Sequence, residues 1–321
     1  MDEGPNIEMD KISGLSDELL VKILSFLPTK VAVSTCILSK QWEFLSMWSP
    51  KLEYNENDIK GPDSSVLRFH DFVVKNLPLH RAPVVESLIL TSRYHVYFQP
   101  ESIKLWVGIV VSRCVRELSI NVCCLSDAPM PNSLRLLLSY CPVLQDLCIE
   151  RREDDNVGKI VHMPMLEEAD IIVVHDVEKF LDSITSVKRL SLRVIFTLEE
   201  EYAYRPGIVY NQLEHLKLCI YSEDWSKLAV WMLRNSPKLR VLNLYVDPSP
   251  QFYHEYHPIK WKNSRRSVPE CFRKSLEYLE FVGYMGTQEE RDFLSFFFKH
   301  ACCLKSTSII DFASLAFDSK F

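Results

Sequence analysis

Glycine is scarce in this sequence. There are eight in 321 residues, and none fall in the GxGxxG or GxxxxGK[ST] spacings that let a backbone cradle phosphates. No Gly-x-Ser-x-Gly elbow is present to carry a nucleophilic serine. Ten cysteines occur, but never as Cys-x-x-Cys, so neither a zinc ribbon nor a dithiol redox site is encoded. His254-Glu255-Tyr256-His257 is one residue short of HExxH, and its two histidines cannot share a helix face at i, i+4. No catalytic residue, metal site or cofactor is therefore expected, and the chain reads as a non-enzyme. Positive charge is also in deficit. The net charge is −6, which argues against nucleic acid as a partner, because a basic face supplies most of that affinity. The one basic run, Lys260-Trp261-Lys262-Asn263-Ser264-Arg265-Arg266, is short and reads as a solvated loop. Long apolar runs are missing too: stretches such as Leu105 to Val111 fall far short of a membrane span, so no membrane partner is expected. The acidic start, Met1-Asp2-Glu3-Gly4-Pro5, has no apolar core and reads as no signal peptide. These absences predict residence in the cytoplasm and/or nucleus, with the cysteines kept reduced and used as small core residues.

What is present is ordinary in amount and unusual in arrangement. Hydrophobic residues make up 47% and charged residues 25%, enough for a folded chain that buries about three quarters of its surface without staples. After a short tail over residues 1–9, a compact helical module is expected over residues 10–50. Ser16 is placed to cap a helix whose first turn carries Asp17 and Glu18. Leu19, Leu20, Ile23, Leu24 and Leu27 keep helical spacing, and Pro28 stops it. Thr29 opens a second helix with Val31, Ala32, Val33, Ile37 and Leu38, and a third carries Trp42, Leu45 and Trp48. Three helices in so short a span make a marginal core, of a kind that buries one face on a partner.

From residue 85 a repeat takes over. Six-residue units of the form apolar-x-x-Leu-x-apolar start at Val85, Val115, Leu144, Leu166, Val187, Leu213, Leu239 and Leu276, with a weaker one at Leu304. Within each unit, alternate positions must point to opposite faces if the segment is a strand. Helical segments lie between units: Glu101 to Cys114, Ser133 to Tyr140, Asp176 to Ile184, Trp225 to Arg234 and Glu289 to Ala301. The fold class expected is α/β: the three-helix module, then an irregular leucine-rich-repeat solenoid of short parallel strands alternating with helices over residues 51–250, then a last subregion over 251–321 that continues it. The unit at Leu166, with Ala169 for its central leucine, is the weakest. Outward strand positions run from acidic (Glu117, Asp146, Glu150, Glu168, Asp170) to basic (Arg189, Arg193, His215, Lys217) to aromatic (Tyr245, Tyr278). Glu117, Asp146, Glu168, Arg189, Arg193, His215, Lys217 and Tyr245 are the candidate contacts for a protein substrate of unknown identity.

Three segments together resemble a known family. Asp10 to Leu20, continuing through Ile23-Leu24-Ser25-Phe26-Leu27-Pro28-Thr29-Lys30 and Leu38-Ser39-Lys40-Gln41-Trp42, resembles the F-box of plant F-box/leucine-rich-repeat proteins. Ser267-Val268-Pro269-Glu270-Cys271, Leu276-Glu277, Gly283-Tyr284-Met285-Gly286 and Ala301-Cys302-Cys303-Leu304-Lys305 are similar to the FBD module that ends that family. The resemblance implies an adaptor: the F-box binds a Skp-type protein, and through it cullin and RING subunits, while the repeats hold a substrate for ubiquitination. It also implies adaptor contacts at Leu15, Leu19, Ile23, Leu24, Leu27, Pro28, Val31, Leu38 and Trp42. Ser16 and Gln41 replace the family's usual proline and basic residue, and near Leu125 to Asn132 the chain looks shorter than its family. The alternative is a protein-interaction scaffold whose F-box does not engage a ligase.

Overall fold

A computed structural model of the chain describes residue 12 and residues 14–58, 65–92, 108–109, 113–122, 143–150, 163–173, 181–194, 207–221, 225–247 and 268–312. The expected helix over 133–140, most of those over 101–114 and 176–184, the HEYH and basic segments and the Cys123-Cys124 pair lie outside these residues.

The N-terminal module opens with α1 (Asp17–Leu24) and α2 (Thr29–Ser34). The third element is shorter than the sequence suggested: residues 40–44 are turns, and only Leu45–Trp48 winds into a 3-10 helix. Leu20, Leu24, Ala32, Trp42 and Leu45 close a small core of their own, with Leu15, Val21 and Leu27 packed half-buried against it. Ser16 stands at the N-cap of α1 but makes no capping bond. Its hydroxyl instead bonds the Glu18 carboxylate and holds it below the usual carboxylate range.

The rest is one parallel sheet of ten strands whose spatial order is their chain order. They are β1 (Lys51–Asn55), β2 (Ser87–Ser92), β3 (Glu117–Val122), β4 (Asp146–Glu150), β5 (Glu168–Val173), β6 (Arg189–Val194), β7 (His215–Ile220), β8 (Val241–Val246), β9 (Tyr278–Tyr284) and β10 (Ser306–Asp311). The described helices packed on the inner side are α3 (Ser65–Asn76), α4 (Trp225–Asn235), α5 (Glu270–Lys274) and α6 (Gln288–His300). Register is fixed by the leucines. Leu88, Leu118, Leu147, Ala169, Leu190, Leu216, Leu242 and Leu279 stand side by side across eight strands, all of them buried. A one-residue slip anywhere would turn a whole row into water. The apolar residue that opens each of the eight stronger units, from Val85 to Leu276, is buried as well. Ala169 keeps its place in the row because neighbours on both sides are leucines.

Each step between strands repeats one backbone device. A single carbonyl accepts from two successive N–H groups of the next unit: Pro50 from Glu86 and Ser87, Glu86 from Arg116 and Glu117, and so on to Glu277 from Lys305 and Ser306. The residues that open these steps alternate in charge along most of the sheet: Glu167, Lys188, Glu214, Arg240, Glu277, Lys305. Neighbours pair across the strands, Lys188 with Glu167 at 2.9 Å, Arg240 with Glu277 at 3.2 Å, Lys305 with Glu277 at 3.0 Å. These pairs lie in solvent, where screening leaves each of them little net stabilisation.

The C-terminal third is the most aromatic part of the core. Trp225 meets Phe281 and Phe293 at ring centroids of 5.5 and 5.4 Å, and Phe272 meets Phe297 at 4.9 Å. Gly283 has φ +89°, and a Cβ there would sit 1.9 Å from the Val246 carbonyl oxygen, so only glycine lets β9 pass β8. α6 starts with a capping box: the Thr287 hydroxyl accepts from the Glu290 N–H, while the Glu290 carboxylate accepts from the N–H groups of Thr287 and Met285.

The expectation for cysteine was too simple. Cys219 and Cys271 are buried, but Cys36, in a 3-10 helix, and Cys114 and Cys302, in turns, are exposed. Among the described residues no disulfide joins two cysteines.

Candidate docking surfaces

The N-terminal module is apolar on the outside as well as within. α1 carries leucine-like residues on two faces: Leu20 and Leu24 point inward with no exposure, while Leu19 and Ile23 point outward. Val31, Leu38, Ile37 and Phe26 are exposed as well, the last two 84% and 76%. Leu15, Leu27 and Pro28 lie half-buried. Two residues grouped with the adaptor contacts are elsewhere: Leu24 and Trp42 are interior to the small core. They build the surface from beneath. Gln41 also has a structural task, its Nε2 donating to the Leu15 carbonyl and the Asp17 carboxylate, both at 3.1 Å. It ties the third element to the start of α1.

This module is joined to the sheet without a linker. The Thr29 hydroxyl accepts from the Glu53 N–H of β1 at 2.8 Å, and the Met47 carbonyl accepts from Arg81 and Ala82. Arg113 donates to the carbonyls of His80 and Ala82 from the far side. His80 is buried in this junction, and burial, helped by the Arg113 charge, pushes its pKa down to about 4.

The outward face of the sheet holds a groove of about 470 Å³ running across β2 to β8. Six of the eight residues read as substrate contacts line it: Glu117, Asp146, Glu168, Arg189, His215 and Lys217. The register places the first five side by side, one per strand from β3 to β7. Asp170 and Lys217 belong to the next outward row, with Ser119, Cys148, Ser191 and Asn243 as a small, neutral floor. Arg193 and Tyr245 stand one row further along the strands and do not line the groove. Tyr245 reaches it indirectly: the Lys217 ammonium lies 5.1 Å above its ring, and its hydroxyl donates to Glu280 at 3.2 Å. Burial and the Glu280 charge raise the phenol to about 12. Asp146 is held above the usual carboxylate range by burial, with Glu117 beside it adding to the effect. Glu168 and Arg189 form an ion pair at the middle of the row. Among the described residues no His, Cys, Asp and Glu cluster could hold a metal ion, and no helix is long and apolar enough to cross a membrane.

Comparison with known proteins matches this architecture at both ends. Residues 12–54 match the F-box domain model and residues 263–309 the FBD model. A putative FBD-associated F-box protein of Arabidopsis thaliana is 47% identical, with 94% of this chain and 98% of the relative aligned. The chain belongs to the FBD-associated F-box family. A second Arabidopsis FBD-associated F-box protein is 42% identical over 94% of this chain and all of its own length. A putative F-box/FBD/LRR-repeat protein of the same plant is 35% identical over 94% and 93%. The alignment to the first of these family members spans 394 positions against the 321 residues here, so at least 73 of those positions have no counterpart in this chain.

Within this FBD-associated F-box chain, sequence reading missed part of the outward apolar face. Phe26, Ile37, Phe44 and Trp48 are as exposed as the residues singled out. A clue was available for Phe26, which falls two residues past Leu24 and so off the stripe that holds Leu20 and Leu24. β1 and α3 were missed as well, although Phe69, Val73 and Leu77, each four apart, mark the buried side of a helix.

Proposed function

We propose that this chain is the substrate-recognition subunit of an SCF-type (Skp–cullin–F-box) E3 ubiquitin ligase. In this reading residues 10–50 are a three-helix F-box whose third helix is reduced to one 3-10 turn. Residues 51–250 are an irregular leucine-rich-repeat solenoid, and residues 251–321 continue it as the FBD module. The observation that carries the proposal is the outward apolar face of the small module. Leu19, Ile23, Phe26, Val31, Ile37 and Leu38 are exposed over a core of only five buried residues. A monomer has no stability reason to show so much apolar surface in one place, and a helix-in-groove contact with a Skp-type adaptor would bury it. The chain's own contribution is proximity: it holds a substrate protein near a ubiquitin-charged enzyme bound through cullin and RING subunits. It needs no catalytic residue for that, and it acts in the cytoplasm and/or nucleus.

Co-purification of the full chain with a Skp-type adaptor tests the proposal. The wild type should capture the adaptor in a 1:1 complex, and a Phe26→Asp, Ile37→Asp double variant should not. Both side chains are so exposed that folding should be unaffected. A folded wild-type chain that captures no adaptor would overturn the ligase reading and leave the scaffold reading in its place.

A further inference from the structure

The sheet carries two charged rows one residue apart, and they follow opposite rules. The row just ahead of each strand alternates in sign, Glu167, Lys188, Glu214, Arg240, Glu277, Lys305, so that neighbours neutralise each other. The next row, facing the groove, is sorted by sign instead. Glu117, Asp146 and Glu168 stand directly opposite one another on β3, β4 and β5, with Arg189 and His215 following on β6 and β7. The second groove row repeats the division, with Asp170 on β5 and Lys217 on β7. Like charges placed opposite one another destabilise a sheet. The chain shows in its outer row how to avoid that cost, and in the groove it accepts it. Sorting therefore serves something outside the chain.

We infer that the groove takes an extended segment of the substrate polypeptide bearing a cationic and an anionic side chain four residues apart, the cation over Asp146 and Asp170 and the anion over His215 and Lys217. This rests on the substrate-receptor reading of the same face. The spacing follows from geometry. β4 and β7 are three strand steps apart, about 14 Å at roughly 4.8 Å per step. An extended chain advances about 3.3–3.6 Å per residue, so about four residues cover that span. An even spacing also keeps both side chains on one face of the extended segment. Ser191 on β6, small and neutral, stands between Asp170 and Lys217 on the same row and leaves room for a backbone between the two charged ends. Nucleic acid does not fit, since half of the groove is acidic.

The test uses the full chain and fluorescently labelled decapeptides on a serine–threonine background: Lys-x-x-x-Glu, Lys-x-x-Glu, Lys-x-x-x-Lys and Glu-x-x-x-Glu. Anisotropy at low salt should show Lys-x-x-x-Glu binding at least about tenfold more tightly than the other three, with the preference lost at high salt. A His215→Glu, Lys217→Glu variant, which leaves the Glu168–Arg189 pair in place, should change its preference to Lys-x-x-x-Lys. Equal or undetectable binding of all four by the wild type overturns the inference, as does an unchanged preference in the variant. Adaptor capture by the same preparation separates the two levels. A chain that captures adaptor but does not discriminate the peptides loses the groove inference alone. A chain that discriminates but does not capture loses the ligase reading alone.

Discussion

The two regions of this molecule spend their apolar residues differently. The sheet turns nearly every leucine and phenylalanine inward and leaves charge outside; along β6 the pattern is Arg189 out, Leu190 in, Ser191 out, Leu192 in. The N-terminal module shows comparable apolar side chains on both sides of the same helix, Leu20 and Leu24 inward, Leu19 and Ile23 outward. A region that is complete in itself hides its hydrophobic surface, and one that is completed by a partner displays it. The contrast predicts a large difference in how the two regions respond to perturbation.

The largest effect is expected in the aromatic core of the sheet. Phe272→Ala removes a fully buried ring that packs on Phe296 and Phe297, and should cost about 3–5 kcal/mol in the main denaturant-unfolding transition. Leu24→Ala should cost about 2–5 kcal/mol, confined to the small core. It should lower an early, N-terminal transition seen by hydrogen exchange while leaving the sheet's midpoint in place. A single merged transition shifted by Leu24→Ala would break the comparison and make the two regions one cooperative unit.

Acid sharpens the comparison at the seam. His80 is neutral in the folded chain with its pKa pushed down to about 4, against about 6.5 when unfolded. Its contribution is present above pH 6.5 and is lost as pH falls toward 4, because the unfolded chain takes up the proton first. The loss should reach about 3 kcal/mol near pH 4, and a His80→Gln variant should show a flatter profile between pH 6.5 and 4 in thermal unfolding. Thr287→Ala should have the smallest effect of the set. It removes the reciprocal cap of α6 and should cost about 1 kcal/mol, read from the main transition alone.

The parts of the fold legible in the sequence are those where a period is forced on the chain. Eight hexamers with a leucine or alanine at the fourth position had to be strands with that position inward, and the two-residue alternation then placed Glu117, Asp146 and Arg189 on one outward row. β1 was not legible because Leu52 and Tyr54 are too few to announce a unit. The inner and outer sides of α1 were not legible for a different reason. In its sequence, DELLVKIL, the residues Leu19, Ile23, Leu20 and Leu24 form one continuous apolar arc opposite Glu18 and Lys22, so spacing alone does not divide the inward half of that arc from the outward half. The same feature that hides the orientation from the sequence is the one that makes the surface useful.

The seam between the regions has a mechanical consequence. Residues 12–54 match the F-box model, yet their last strand is already β1 of the sheet, and Thr29 and Met47 tie the module to β1 and to the segment that leads into β2. With no hinge at that point, the sheet is a lever arm bolted to its fulcrum, and its length is counted in strands. Adding or deleting one unit between β1 and the groove would move whatever the groove grips by about 4.8 Å relative to the N-terminal face. On the substrate-receptor proposal, repeat number would then act as a gauge, setting where a held target is offered and which of its lysines comes within reach.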